Sequence, residues 1–296
     1  MMADYLRDEP LARYTAARLG GAADYLYIAR DSVAELARVV SDAWERGLPV
    51  RVLGAGANVL VADGGFRGLV VVNRVSEVSF GAWYGGVTLS ASSGASLSTV
   101  ANRCQKRGLT GMEWAVSVPG TIGGAVVNNA GAHGGEIADN LSSVAVLDEG
   151  MPRLYTNADL AYEYRGSALK HRTKRDFLVL LATFKLESDE PDAIRARMNQ
   201  MTAYRKRTQP PGASLGSIFK NPAGDYAGRL IEAAGLKGYR RGGVMVSPVH
   251  ANFIVNADTA SATSADYHAL IREVQQAVAV HSGIQLELEI ELIGDF

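Results

Sequence analysis

Residues 119–137 read PGTIGGAVVNNAGAHGGEI, and no other stretch of the chain constrains its fold as tightly. It holds six glycines and one carboxylate, Glu136. Glycine lacks the side chain that keeps a neighbouring group away from the backbone. Another object can therefore lie directly against this segment, whether a sheet, a second chain, a phosphate or a flat cofactor. No Lys or Arg lies within it, so a diphosphate bound here would be held by backbone dipoles. Pro119, Gly120, Gly123 and Gly124 would let those amides point inward, with the Thr121 hydroxyl beside them. Close packing against a sheet is the competing explanation.

The rest of the chain sets the scale. Its 296 residues suit two domains better than one. A composition 47% apolar and 21% charged is that of a globular protein with a real core. A net charge of −1 gives no argument for a nucleic-acid or membrane-surface partner. The single Cys104 excludes an intramolecular disulfide and fits a reducing compartment. The start, MMADYLRDEP, is acidic and broken by proline, unlike a signal peptide. The longest apolar run, FLVLLATF at 177–184, falls far short of the ~20 residues of a membrane span. A cytoplasmic protein that handles a small molecule is expected, a monomer or weak oligomer with no metal site.

Periodicity predicts an α+β chain in two lobes. Helices are expected at 32–47, 96–108 (with Ser96 or Ser98 as N-cap), 191–206, 225–235 and 264–281. The segment 48–73 reads as strand, loop, strand, turn, strand, and short alternating segments from 75 to 100 suggest more sheet. Further strands are expected at 143–148, 177–186, 243–247, 251–256 and 284–293. The punctuation TQPPG at 208–212 is the clearest boundary.

Two more strings can carry chemistry. VLGAGANVLV at 52–61 opens like a dinucleotide loop, but Val59 stands where the third glycine belongs and strand residues follow. What remains is a turn between strands, suited to nesting a phosphate or simply to turning the chain. SLGSIFKNP at 214–222 offers Ser217, Lys220 and Asn221. Ser217 has no adjacent histidine, so it is a poor acyl nucleophile. It could instead give a proton to a carbon centre with a relay behind it, or be an ordinary turn serine. Arg165, Glu289 and His250 look unremarkable in isolation.

Taken in order, eight strings resemble one family, the UDP-N-acetylenolpyruvoylglucosamine reductases, also called UDP-N-acetylmuramate dehydrogenases. They are YTAARLGGAADYL (14–26), LGAGANVLVADGGFRGLVV (53–71), GMEWAVSVPGTIGGAVVNNAGAHGGEI (111–137), YRGS (164–167), SLGSIFKNPAG (214–224), AGRLIEAAGLKGYRRGG (227–243), HANFIVN (250–256) and GIQLELEIELIG (283–294). The resemblance implies an FAD-binding domain of the vanillyl-alcohol-oxidase (PCMH) type with a smaller α+β substrate lobe. The linear scheme it implies is a flavin-binding region at 1–203, split near residue 74, a substrate lobe at 204–283, and a terminal strand at 284–296 returning to the first region. NADPH would be the co-substrate, and UDP-N-acetylglucosamine enolpyruvate would be reduced to UDP-N-acetylmuramate for bacterial peptidoglycan.

By motif position the resemblance implies Ser217 as proton donor, Glu289 as its partner and Arg165 as stabiliser of charge on the substrate carboxylate. It implies that Gly54, Ala55, Gly56, Ala57, Asn58, Ser117, Pro119, Gly120, Thr121, Gly123 and Gly124 hold FAD. Lys220, Asn221, His250 and Asn252 would face the substrate. Ala55 and Ala57 stand where the family usually has glycine and serine. No insertion carries a substrate-capping tyrosine between Arg165 and Ser217, so the chain is of the shorter type. Glu291 replaces a basic residue and is expected on the strand face of Glu289. A flavin-dependent oxidase on the same scaffold and a non-catalytic flavin or nucleotide-sugar sensor are the competing readings.

Overall fold

A computed structural model describes residues 5–83 and 85–296, so residues 1–4 of the MMADYLRDEP stretch lie outside it. The polypeptide forms two compact units, each assembled from separate stretches. One comprises Tyr27–Ala55 and Gly68–Arg205; the other comprises the chain up to Leu26, Gly56–Arg67 and Lys206–Phe296.

The first unit is organised by an antiparallel sheet in the spatial order Met151–Thr156, Leu141–Asp148, Phe177–Ser188, Gly86–Ser92, Val78–Trp83. Its central strand carries FLVLLATF. This run pairs on both edges, with Val144 opposite Ala182 and Leu89 opposite Phe184, and it buries Leu178, Val179, Ala182 and Phe184. Helices Leu97–Gln105 and Ile122–Asn128 contribute Leu97, Val100, Ile122 and Val126 to the core beside it. Ser96 occupies the N-cap position of the former helix, though its side chain makes no capping bond. A parallel pair, Val50–Leu53 with Leu69–Val72, also lies in this unit. Helix Val33–Glu45 begins where Ser32 accepts a bond from the Glu35 N–H, and buries Leu36, Val39, Val40 and Ala43.

The second unit has an antiparallel sheet ordered Ala213–Ser217, Phe253–Asn256, Val244–Val246, Arg240–Arg241. Helices Ala227–Ala233 and Ser264–Ser282 share its core, in which Phe219, Ile231, Tyr267 and Ile271 are fully buried. The units cut across the linear scheme of 1–203, 204–283 and 284–296, for identifiable reasons. Ala17, Leu19 and Leu60 belong to the core of the C-terminal residues. The Asp63 carboxylate caps helix Ser264–Ser282 by accepting from the N–H groups of Ser264 and Ala265. Strand Glu291–Ile293 runs parallel to Val59–Val61.

That last strand is shorter than the alternation of LELEIELIG suggests. Residues 284–290 form no continuous strand: Leu288 makes an isolated bridge with Phe219, and the chain bends at Ile290. The bend removes the strand alternation on which placing Glu289 and Glu291 on one face depended. Glu291 instead pairs with Val59, and its N–H donates to the Asn58 carbonyl at 2.9 Å.

Candidate active site

In the first unit the two glycine-rich strings meet. A Cβ on Gly54 would stand 2.3 Å from the Thr121 hydroxyl oxygen, so the bare backbone of one loop is packed against the start of the other. Thr121 forms the N-cap of helix Ile122–Asn128. The N–H groups of Ile122 and Gly123 donate to the carbonyls of Ala95 and Ser93 at 2.9 and 2.8 Å. Ser93 is buried and held in turn by the Asn73 amide at 2.8 Å. These two amides are therefore not available to a ligand, which corrects the expectation for Gly123. Its missing side chain serves packing, since a Cβ would lie 2.8 Å from that of Ser93.

Gly124 differs. It is exposed, and a Cβ there would meet nothing closer than the Thr121 hydroxyl at 3.9 Å. Gly120 has a left-handed φ of +149° and packs near Leu97. Pro119 is exposed beside it, and the buried Ser117 hydroxyl has no hydrogen-bond partner. A bare exposed backbone at a helix start and an orphaned buried hydroxyl four residues before its cap are what a bound dinucleotide would complete. The residues present fit FAD. The small segment SSGAS (92–96), between a strand and a helix, is the piece sequence reasoning overlooked.

The far end of the same string positions Arg165. Its guanidinium donates to the carbonyls of Gly131 at 2.7 Å and Asn129 at 3.4 Å. Its backbone has a left-handed φ of +57°, which for a residue with a Cβ costs about 1–2 kcal/mol. Asn129 maintains the surrounding turn. It is fully buried, its amide donates to the Glu163 carbonyl at 3.1 Å, and its side-chain oxygen accepts from the Ala138 N–H at 3.1 Å. Nothing in the string NNAG distinguishes this asparagine from a surface residue, and sequence reasoning missed it.

The second unit brings Ser217 and Glu289 onto paired segments. The Glu289 N–H donates to the Ile218 carbonyl at 2.8 Å, and the Lys220 N–H to the Glu287 carbonyl at 2.9 Å. Ser217 is half-buried, and its hydroxyl makes no hydrogen bond among the described residues. The Asn58 amide donates to the Glu289 carbonyl at 3.1 Å. Gly56, with φ +62°, packs against the Tyr14 carbonyl, where a Cβ would come within 2.1 Å. Ala57 is half-buried between them, while Ala55 belongs with Gly54 to the first unit.

Asn252, expected at the substrate, instead clamps the Ser217 strand. Its side-chain oxygen accepts from the Phe219 N–H at 3.0 Å and its amide donates to the Phe219 carbonyl at 2.8 Å. At 3% exposure its amide satisfies the N–H and carbonyl of Phe219, just beyond the end of strand Ala213–Ser217. Asn221 accepts from the Ala227 N–H at 3.1 Å, capping a helix. Lys220 lies 3.7 Å from the exposed Glu287 carboxylate. His250 accepts from the Asn252 N–H and stacks edge-on to Phe253. Burial pushes its pKa below the usual imidazole value.

Two family models match the chain. Residues 26–150 match the model of the FAD binding domain family, and residues 207–293 match that of the UDP-N-acetylenolpyruvoylglucosamine reductase C-terminal domain. UDP-N-acetylenolpyruvoylglucosamine reductase of Rubrobacter xylanophilus is 42% identical over 288 residues, covering 97% of this chain and 95% of that protein. The reductase of a Synechococcus species is 44% identical over 296 residues, covering 98% and 94%. The crystal structure of the reductase from Thermus caldophilus superposes with a TM-score of 0.81 at 34% identity, covering 98% of this chain and 99% of that one. No helix among the described residues is long and apolar enough to cross a membrane. With relatives this similar along nearly its whole length, the chain belongs to the UDP-N-acetylenolpyruvoylglucosamine reductase family.

Proposed function

We propose that this protein is the FAD-dependent, NADPH-using reductase that converts the enolpyruvyl group of UDP-N-acetylglucosamine enolpyruvate to the lactyl ether of UDP-N-acetylmuramate. It would act in the cytoplasm during bacterial peptidoglycan precursor synthesis. The observation that carries the assignment of roles is the pairing of the Ser217 strand with the Glu289 segment in one unit.

Saturating the C=C bond takes one hydride and one proton. When bound, FAD would supply hydride chemistry, with NADPH as the source of reducing equivalents and the enolpyruvyl carbon distal to the ether oxygen as the acceptor. That addition builds negative charge on the substrate carboxylate. Arg165, fixed by the Gly131 and Asn129 carbonyls, would stabilise this charge with little reorganisation. Ser217 would then give its proton to the carbon bearing the ether oxygen. Glu289 would serve as the relay that restores the serine proton. Within the flavin cradle, the open Gly124 backbone and the Ser117 hydroxyl would hold diphosphate oxygens.

The test is direct. The purified protein should carry a flavin spectrum and oxidise NADPH faster when the enolpyruvyl nucleotide sugar is present. Oxidation at full rate without that substrate would indicate an oxidase. Absence of both flavin and turnover would indicate a sensor.

A further inference from the structure

Arg165 stands at the tip of a tight loop. The Ala168 N–H closes the base of this loop on the Leu160 carbonyl at 2.7 Å. Nearer the tip, Glu163 and Gly166 exchange main-chain bonds at 3.2 and 3.1 Å. Positive φ angles at Ala161 (+42°) and Arg165 (+57°) strain the backbone between them. Such strain persists only where the surroundings over-determine the conformation.

Ser167 supplies the restraint. It is fully buried, and its hydroxyl donates to the Val127 carbonyl at 2.6 Å while accepting from the Lys170 N–H at 3.1 Å. The Lys170 ammonium turns back and donates to the Arg165 carbonyl at 3.0 Å. Val127 lies in the last turn of helix Ile122–Asn128, where carbonyls lack an intrahelical donor. The same helix begins at the flavin cradle, with Thr121 at its N-cap and the open Gly124 backbone in its first turn. Its seven residues span about 10 Å. One short helix thus meets the cradle at its start and the Arg165 loop at its end.

We propose that Ser167, acting with Lys170, is a positioning residue that holds Arg165 at a fixed offset from the flavin helix. The inference rests on the reductase reading, in which hydride reaches one carbon of the enolpyruvyl group while Arg165 takes the charge on its carboxylate. Both events fall on one three-carbon unit, so a misplacement of about 1 Å between them can slow the reaction about 100-fold. Being fully buried, Ser167 acts only through the loop it anchors.

The test compares flavin-loaded wild type, Ser167→Ala, Lys170→Met and Arg165→Ala, and each of the first two substitutions combined with Arg165→Ala. Ser167→Ala should keep its flavin and its reduction by NADPH, while reoxidation by the enolpyruvyl nucleotide sugar slows about 10- to 100-fold. Lys170→Met leaves the bonds of the Ser167 hydroxyl in place and should slow reoxidation about 3- to 10-fold. Calorimetric titration of the oxidised protein with the same nucleotide sugar should show affinity about 3- to 10-fold weaker in Ser167→Ala. All three losses should vanish in the Arg165→Ala background. Unchanged reoxidation and affinity, losses that persist without Arg165, or an equal fall in both half-reactions overturns the proposal. If Ser167→Ala fails to fold, Lys170→Met decides by the same criteria. Wild type that cannot reduce the enolpyruvyl substrate would instead overturn the reductase reading, and the calorimetric affinities still judge Ser167.

Discussion

The main-chain N–H of Glu289 donates to the carbonyl of Ile218 at 2.8 Å, one residue beyond Ser217. Two residues far apart in sequence, Ser217 and Glu289, are thereby fixed to adjacent backbone segments.

Ser217→Ala should leave flavin reduction by NADPH largely intact and suppress reoxidation by the enolpyruvyl substrate by about 10²-fold or more, the scale of lost general acid catalysis. Stopped-flow absorbance of the flavin separates the two half-reactions. Equal loss in both would remove Ser217 from the proton-donor role.

Neighbouring glycines should respond differently to valine. At Gly123 the new Cβ meets the Cβ of buried Ser93 at 2.8 Å, so the variant should lose about 1–3 kcal/mol of stability. At Gly124 nothing lies closer than 3.9 Å, so that variant should fold normally and lose flavin. Melting curves and the flavin-to-protein absorbance ratio measure both effects.

Asn129→Asp keeps an acceptor for the Ala138 N–H but turns the donor to the Glu163 carbonyl into a second acceptor. Substrate-driven reoxidation should slow about 10-fold through displacement of Arg165, and this loss should largely vanish in an Arg165→Ala background. Additive losses in the double variant would mean that Asn129 does not act through Arg165.

Acid stability should depend on Asp148. Arg172 beside it, opposed by burial and aided by the Tyr155 hydroxyl, holds this carboxyl below the usual carboxylate range. A carboxyl depressed in the folded state stabilises above its unfolded pKa, about 3.9, and that contribution fades as pH falls through the folded value. Arg172→Met should therefore cost about 1–3 kcal/mol at pH 7, where Asp148 would keep only Arg153 at 3.6 Å and the Tyr155 hydroxyl, and much less near pH 2. A stability difference independent of pH would show that packing, not charge, dominates at this position.

Local pattern made most elements legible: the helix at 191–208, the strand at 177–188 and the strand–loop–strand run at 50–73 follow from apolar period and glycine punctuation. Long-range pairing was not legible. Nothing in VLVADGG indicates that Val59–Val61 pairs with residues 291–293, or that Asp63 caps a helix beginning at Ser264. The glycines were correctly singled out but incompletely explained, because sequence shows a missing side chain without showing what occupies its space. Gly123 and Gly124 are adjacent and identical, yet one meets Ser93 and the other faces outward. Asn252 shows the same limit for polar residues: an amide suited to a ligand is engaged by the backbone of Phe219.

The second unit is drawn from three separated stretches, the last ending at Phe296. During synthesis, Val59–Val61 and the cap residue Asp63 leave the ribosome more than 200 residues before their partners. The glycine cradle and Arg165 lie within Tyr27–Arg205 and need no later sequence for their own contacts. The nascent chain can therefore assemble its flavin-side unit while the unit bearing Ser217 and Glu289 awaits translation of the final strand. A ribosome that stops before residue 291 would release a chain with one finished unit and an unpaired Val59–Val61 edge, a natural target for proteolytic quality control.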